Sequence, residues 1–457
     1  MLVMSQSHHL SLEYEVVNQD CAEGFCHVEM KEIESPVQVS ERTHPLQGDE
    51  WDKMMDQDGR IINETALRKS IFKGSISSNI RAEVWRFLFG FYPFLSTTRE
   101  RKVLLAENYS KYKAYKQRWK EMIKTQHNDA SNNTLPAYVR ECQQNLDTDD
   151  NNRNTDCSSS APYLNDLDEH QREFLDITAK VDASRQHIDL DSLSHSIKTI
   201  DKDVPRTDRG HPYYSGNGNQ NLLVLRDILI TYAAYHKDVG YAQGMNDILS
   251  RFLVVLKSEA EAYFCFVNYM DAVKDDFLES GMMKKIELVQ KLLKFMDGQL
   301  EQHFFSHNMS DLLFVHRWLI LGFKREFAYE DSLKLFEIMS SQHLELHSME
   351  AEREREKQRH KEREKDGGEF QTELVGLDKE YTFDLFICLA ILRQYRGLFL
   401  NCTEVSFVYN TINSLSMKMD LNTILLKAEE LFFQYCRKSV IDCFEVLDTT
   451  NHFQKGR

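Results

Sequence analysis

Ile80, Val84, Phe87, Leu88 and Phe91 succeed one another at steps of three and four, as do Leu222, Leu225, Ile228, Leu229 and Tyr232. Such spacing returns each set to one face of an α-helix. The stretches Leu288 to Phe295, Asp311 to Phe323, Phe383 to Leu392 and Leu421 to Cys436 behave similarly. Few alternating β-branched runs compete with them, so the expected fold class is all-α, one large helical domain. No internal repeat of fixed period interrupts it.

Three stretches depart from the pattern. Residues 1–47 mix polar, acidic and short apolar pieces, and are expected to be a disordered or flexible N-terminal segment. Residues 125–161, rich in Asn, Asp, Ser and Gln, offer too little apolar surface to order themselves and read as a flexible insertion. Residues 345–380 form a charged insertion, in which Glu350-Ala-Glu-Arg-Glu-Arg-Glu-Lys supplies i,i+4 pairs worth about 0.2 to 0.5 kcal/mol each. Without an apolar face it is expected to be a solvated helical spur ended by Gly367-Gly368. The domain is thereby divided into residues 48–124, 162–344 and 381–440, followed by a tail, 441–457.

Composition narrows the function. A formal charge of -16 over 457 residues argues against an unassisted grip on nucleic-acid phosphates. The nine cysteines are scattered and odd in number, without CxxC pairs, which suits free thiols in a reducing compartment. Residues 1–20 lack the basic start and apolar run of an export signal. The most continuous apolar stretch, Phe383 to Leu392, is far shorter than the roughly 20 residues that cross a bilayer. A cytoplasmic chain is expected, reaching membranes only through a partner.

The common self-contained catalytic motifs are missing: no GxxxxGK[ST] loop, no GxSxG elbow, no HExxH, and no GxGxxG after a strand. Gly216-Asn-Gly-Asn reads as a turn ahead of a helix beginning near Asn221. His303, His316 and the other histidines lack metal-ligand spacing and read as packing or surface residues.

Two short segments remain: Ile200-Asp-Lys-Asp203-Val-Pro205-Arg206-Thr-Asp208-Arg209 and Gly240-Tyr241-Ala-Gln243-Gly244-Met245-Asn246-Asp247. One helix's worth of chain separates them, which lets them fold side by side. Pro205 suits a bend, so Arg206 is presented near one. Asp203 and Asp208 flank it closely enough to orient the guanidinium. Gly244 permits close approach by another molecule, and Tyr241 can pack beneath Gln243. Together they offer a cation and an amide, the two groups an incomplete GTPase site lacks. An arginine supplied from outside neutralises charge on the transferring phosphoryl group and is worth about 10³ to 10⁵ in rate, while an amide orients the attacking water. By spacing alone, an exposed Asp–Arg cluster is more often a structural ion-pair network.

The joint pattern resembles a known family. Ile200-x-x-Asp203-x-x-Arg206 and Tyr241-x-Gln243-Gly244 look like the IxxDxxR and YxQG fingers of TBC-domain Rab GTPase-activating proteins, in order and at the usual separation. Ile80-Arg81-Ala-Glu-Val84-Trp85 resembles the opening helix of that domain, and His316-Arg317-Trp318-Leu-Ile with Phe323-Lys324-Arg325-Glu326-Phe327 resembles a later segment. The likeness runs from about Ala66 to Arg437. It implies an all-α TBC domain that binds a GTP-loaded Rab, regulates vesicle traffic, and needs no cofactor beyond the GTP and Mg that the partner holds. Arg206 and Gln243 would be the catalytic fingers, the latter standing in for the Rab's own glutamine. Asp203 would support the arginine, Ile200 would anchor its loop, and Tyr241 and Gly244 would support the glutamine. Trp85, Arg317 and Trp318 would be structural. His211-Pro-Tyr-Tyr214, Glu373-Leu-Val-Gly376 and the Leu385 helix look nearest to family member twenty-five. Glu13-Tyr14-Glu-Val-Val17 resembles a motif that binds ubiquitin-like autophagy modifiers. A non-catalytic Rab-binding scaffold is the alternative, and such a scaffold would not need both fingers.

Overall fold

Capped amphipathic helices set the architecture. The computed structural model describes residues 39–127, 136–148, 168–366 and 381–454. In order come α1 (Gly48–Lys53), α2 (Glu64–Gly74), α3 (Arg81–Leu88), α4 (Thr98–His127), α5 (Ala137–Thr148), α6 (Glu169–Arg185) and α7 (Leu190–Asp203). Then follow α8 (Gln220–Tyr235), α9 (Met245–Leu256), α10 (Glu259–Val273), α11 (Glu279–Met296), α12 (Gly298–Ser306) and α13 (His316–Ile320). The chain continues through α14 (Tyr329–Ser340), α15 (Met349–Asp366), α16 (Phe383–Gln394), α17 (Arg396–Leu400), α18 (Val405–Leu415) and α19 (Leu421–Gln454). The only β-type pairings among the described residues are two isolated bridges, Leu46 with Ile76 and Met55 with Ile61.

Two hydrophobic cores form. The first gathers the buried faces of α1 to α4 and of α6 to α10, and takes in Leu333 and Phe336 of α14. The second gathers α11 to α19. Glu337 fastens α14 to the first core: its carboxylate accepts from Arg81 Nε at 2.7 Å, Trp85 Nε1 at 2.9 Å and the Ile76 backbone N–H at 3.0 Å. Both Trp85 and Trp318 are fully buried, and Arg317 is held by Glu326 through two bonds of 2.9 and 3.0 Å. Buried indole and paired guanidinium both serve packing.

Each of the three irregular stretches includes described residues that pack against the helical domain. Order begins before residue 48, because Leu46 is buried in the first core and Arg42 lies 3.7 Å from Glu429. Within 125–161, α4 continues to His127 and α5 is a helix whose Val139 and Cys142 are buried. Polar side chains do the docking here: Tyr138 Oη donates to Asp201 at 2.8 Å, and Gln220 Nε2 donates to the Cys142 carbonyl at 2.6 Å.

The charged stretch is not a free spur. α15 lies along α19 with Ala351, Glu354, Arg355 and Gln358 buried. Arg355 Nη2 donates to the Leu346 carbonyl and to Glu352, each at 2.7 Å, while Glu354 pairs with Arg437 of α19. A charged face can be buried when each charge meets a partner. Glu13 to Val17 and Glu373 to Gly376 lie outside the described residues.

Candidate functional site

The arginine loop begins with α7. Asp189 caps it, accepting from the N–H groups of Asp191 and Ser192 at 3.1 and 3.2 Å. Leu193, Ser196, Ile200 and Asp203 make its buried face, with Ile200 wholly enclosed. Pro205 cannot continue the hydrogen-bond ladder, and the chain tightens into a 3₁₀ turn, Val204–Arg206. Arg206 ends that turn with its side chain 60% exposed, while the Asp203 carboxylate that pairs with it is 3% exposed. The root of the arginine is thus fixed and its reach is free.

The glutamine loop precedes α9. Gly240 and Gly244 both have positive φ, +62° and +108°, a region costly for residues with a Cβ. Gly244 is also packed inward, since a Cβ there would come 3.3 Å from Leu321 Cδ2 and 3.7 Å from Phe277. The sequence expectation of an open approach at Gly244 is therefore corrected: the glycine serves the turn and its packing. Gln243, just before it, is exposed.

The loops are bonded to each other. One carboxylate oxygen of Asp203 pairs with Arg206, and the other lies 2.8 Å from Tyr241 Oη. Burial, then the Asp203 charge, push the Tyr241 phenol well above its usual range, so it remains a donor. Tyr241 accordingly supports the arginine's partner as well as its own loop. Asn246 joins the same cluster, with Nδ2 2.9 Å from Thr207 Oγ1 and Oδ1 3.2 Å from the Gly244 N–H.

Asp208 does not flank the guanidinium as the sequence suggested. It adopts φ of +44° and turns toward Lys324, whose Nζ donates to its Oδ2 at 2.6 Å. Lys324 also donates to Asp247 Oδ1 at 3.1 Å and to Ser250 Oγ at 2.8 Å. Burial raises the Asp247 carboxyl, but Lys324 and Arg325 outweigh it and hold the group below the ordinary carboxylate range. The Phe323 to Phe327 segment thereby clamps both loops from behind. Asn246, Asp247, Ser250 and Arg251 were missed as site builders, although four polar residues in the apolar run Met245 to Leu256 are the signal that marks them.

Between the two cores opens a cleft of about 880 Å³, lined by residues that include Asp276, Lys285, Phe323, Glu345 and Asp384. No helix among the described residues is long and apolar enough to cross a membrane.

Residues 160–351 match the family model of the Rab-GTPase-TBC domain. TBC1 domain family member 17 of Homo sapiens is 30% identical over 307 residues, 66% of this chain and 38% of that protein. The GTPase-activating protein GYP7 of Yarrowia lipolytica is 26% identical over 411 residues, 89% of this chain and 46% of that protein. Member 25 of Mus musculus is 28% identical over 297 residues, 64% of this chain and 31% of that protein. With member 17 at a similar identity, the pieces from His211 to Tyr214 and around Leu385 do not single out member twenty-five. The chain spans about half the length, or less, of these curated relatives. Among solved structures, the crystal structure of the Ypt/Rab-GAP domain of Gyp1p matches with a TM-score of 0.52 at 17% identity, covering 84% of this chain and 96% of that one. The helices described above therefore form a TBC-domain fold.

Proposed function

We propose that this chain, whose residues 160–351 match the model of the Rab-GTPase-TBC domain, is a GTPase-activating protein that completes the active site of a Rab-type GTPase. One observation carries the reading. Two exposed side chains, a guanidinium and a carboxamide, stand on loops joined to each other through Asp203, Tyr241 and Asn246.

In this reading the partner holds GTP and Mg, and the chain adds two groups. Arg206 neutralises the negative charge that grows on the phosphoryl oxygens as the bond to the leaving GDP breaks, and Gln243 aligns the attacking water. The 3₁₀ turn fixes the backbone of Arg206, and on entering the partner's site its guanidinium exchanges the single carboxylate of Asp203 for the phosphate. By accelerating hydrolysis the chain returns its Rab to the GDP state, and the Rab brings it to an endomembrane.

The test is single-turnover GTP hydrolysis across a panel of purified Rabs. Wild-type chain is expected to accelerate at least one Rab, and Arg206→Ala to lower the maximal rate by about 10³-fold or more. Gln243→Ala is expected to lower it strongly too, with an unchanged helical circular-dichroism spectrum in both. A chain that binds GTP-loaded Rab yet leaves hydrolysis unchanged is a scaffold, and the proposal fails.

A further inference from the structure

Thr207 and Gly244 are the immediate neighbours of Arg206 and Gln243, and a single buried side chain bonds to both. Asn246 is 5% exposed. The orientation of its amide is dictated by its surroundings. The Gly244 N–H is an obligatory donor, so the oxygen must face it, at 3.2 Å. Nδ2 then faces Thr207 Oγ1 at 2.9 Å, and Thr207 has already committed its one hydroxyl proton to the Asp203 carbonyl, at 2.9 Å. The threonine oxygen can only accept from Asn246. Tyr241 Oη lies 3.1 Å from the same Oδ1 and 2.8 Å from Asp203 Oδ2, so its proton is shared between the two.

We propose that Asn246 is a positioning residue that keeps the Arg206 and Gln243 loops in one fixed register. The inference rests on the proposed GTPase-activating function and adds to it a residue that touches neither nucleotide nor partner. A donor and an acceptor on one short planar group are both required. Aspartate keeps the acceptor but sets a negative oxygen against Thr207 Oγ1, beside the Asp203 carboxylate. Alanine leaves the Gly244 N–H without its buried acceptor and Thr207 Oγ1 without the donor it accepts from. With either change the two loops lose their common tie, and arginine and glutamine no longer arrive together.

The experiment uses the full chain and a Rab whose hydrolysis the wild type accelerates. Single-turnover rates are measured against chain concentration for wild type, Asn246→Asp, Thr207→Ala and Arg206→Ala, and for the double variant Arg206→Ala/Asn246→Asp. Asn246→Asp is expected to lower the maximal rate about tenfold to a hundredfold while the half-saturating concentration moves less than about threefold. Thr207→Ala, which removes the same bond from the other side, is expected to lower the maximal rate too, and decides the matter if Asn246→Asp does not fold. In the Arg206→Ala background the Asn246 change is expected to cost little more, because the group acts through the fingers. Lowering the pH from about 8 to about 5.5 is expected to recover part of the Asn246→Asp deficit relative to wild type, as a protonated carboxyl can donate to Thr207.

A folded Asn246→Asp chain with the wild-type maximal rate, or one changed only in half-saturation, overturns the positioning role. Full additivity with Arg206→Ala does so as well. If wild type accelerates no Rab at all, the function itself is what fails.

Discussion

Buried carboxylates at this site are each answered by a cation from elsewhere in the chain, and the pairing decides what each residue can do. Asp203 spends its charge on Arg206, whereas Asp208 and Asp247 spend theirs on Lys324, so Arg206 has one carboxylate to leave and not two. Lys324→Met is expected to destabilise the fold by about 3 to 5 kcal/mol, since it strands buried carboxylates, and chemical denaturation will measure it. Glu345 behaves oppositely. Burial and then the charge of Asp384 raise its carboxyl to about 7, so the folded chain binds this proton more tightly than the unfolded one. Its contribution is therefore favourable at low pH and is lost as the pH rises from the ordinary carboxylate value through about 7. Glu345→Gln is expected to remove that dependence, so that between about pH 5 and about pH 8 the wild-type melting temperature falls relative to the variant's. At this scale the side-by-side placement of the Arg206 and Gln243 loops was legible, because their motifs are local and one helix apart. The partner of Asp208 was not, for Lys324 lies 116 residues away and only the left-handed backbone at Asp208 aims the carboxylate there.

Helices whose apolar faces repeat at three and four were readable directly, and α3, α8 and α16 bury the residues that the pattern named. The helix α5 escaped, and α15 was expected as a helix but not as a buried one; both dock largely through polar contacts. α5 uses Tyr138, Cys142 and the Gln220 amide, and α15 uses Arg355 and Glu354 against carbonyls and Arg437. A periodicity argument counts only apolar residues, and it cannot see a charge whose partner sits 83 residues later. Replacing residues 349–366 with a flexible glycine-serine linker is accordingly expected to lower the melting temperature by several degrees, because it uncovers the α19 face bearing Cys436 and Arg437. An unchanged melting temperature would restore the solvated spur.

Across the whole molecule, the Arg206 and Gln243 loops belong to the first core and Lys324 to the segment that leads out of α13 in the second. Gly244 packs against Ile320 and Leu321, so the glutamine loop sits where the cores meet. The all-α class followed from periodicity alone, and the joint finger motifs pointed to the fold that the Gyp1p domain shares. The division into two cores joined through Glu337 and Lys324 had no sequence signal, because both ties bring together residues far apart in the chain. The central claim is that this chain brings its own amide as well as its own guanidinium to a partner's phosphate. Phosphate release under single-turnover conditions, from a responsive Rab whose own catalytic glutamine is changed to leucine, tests it most directly. Wild-type chain is predicted to accelerate that Rab still, and Gln243→Ala to abolish the acceleration; an acceleration that requires the Rab's glutamine and ignores Gln243 would contradict the account.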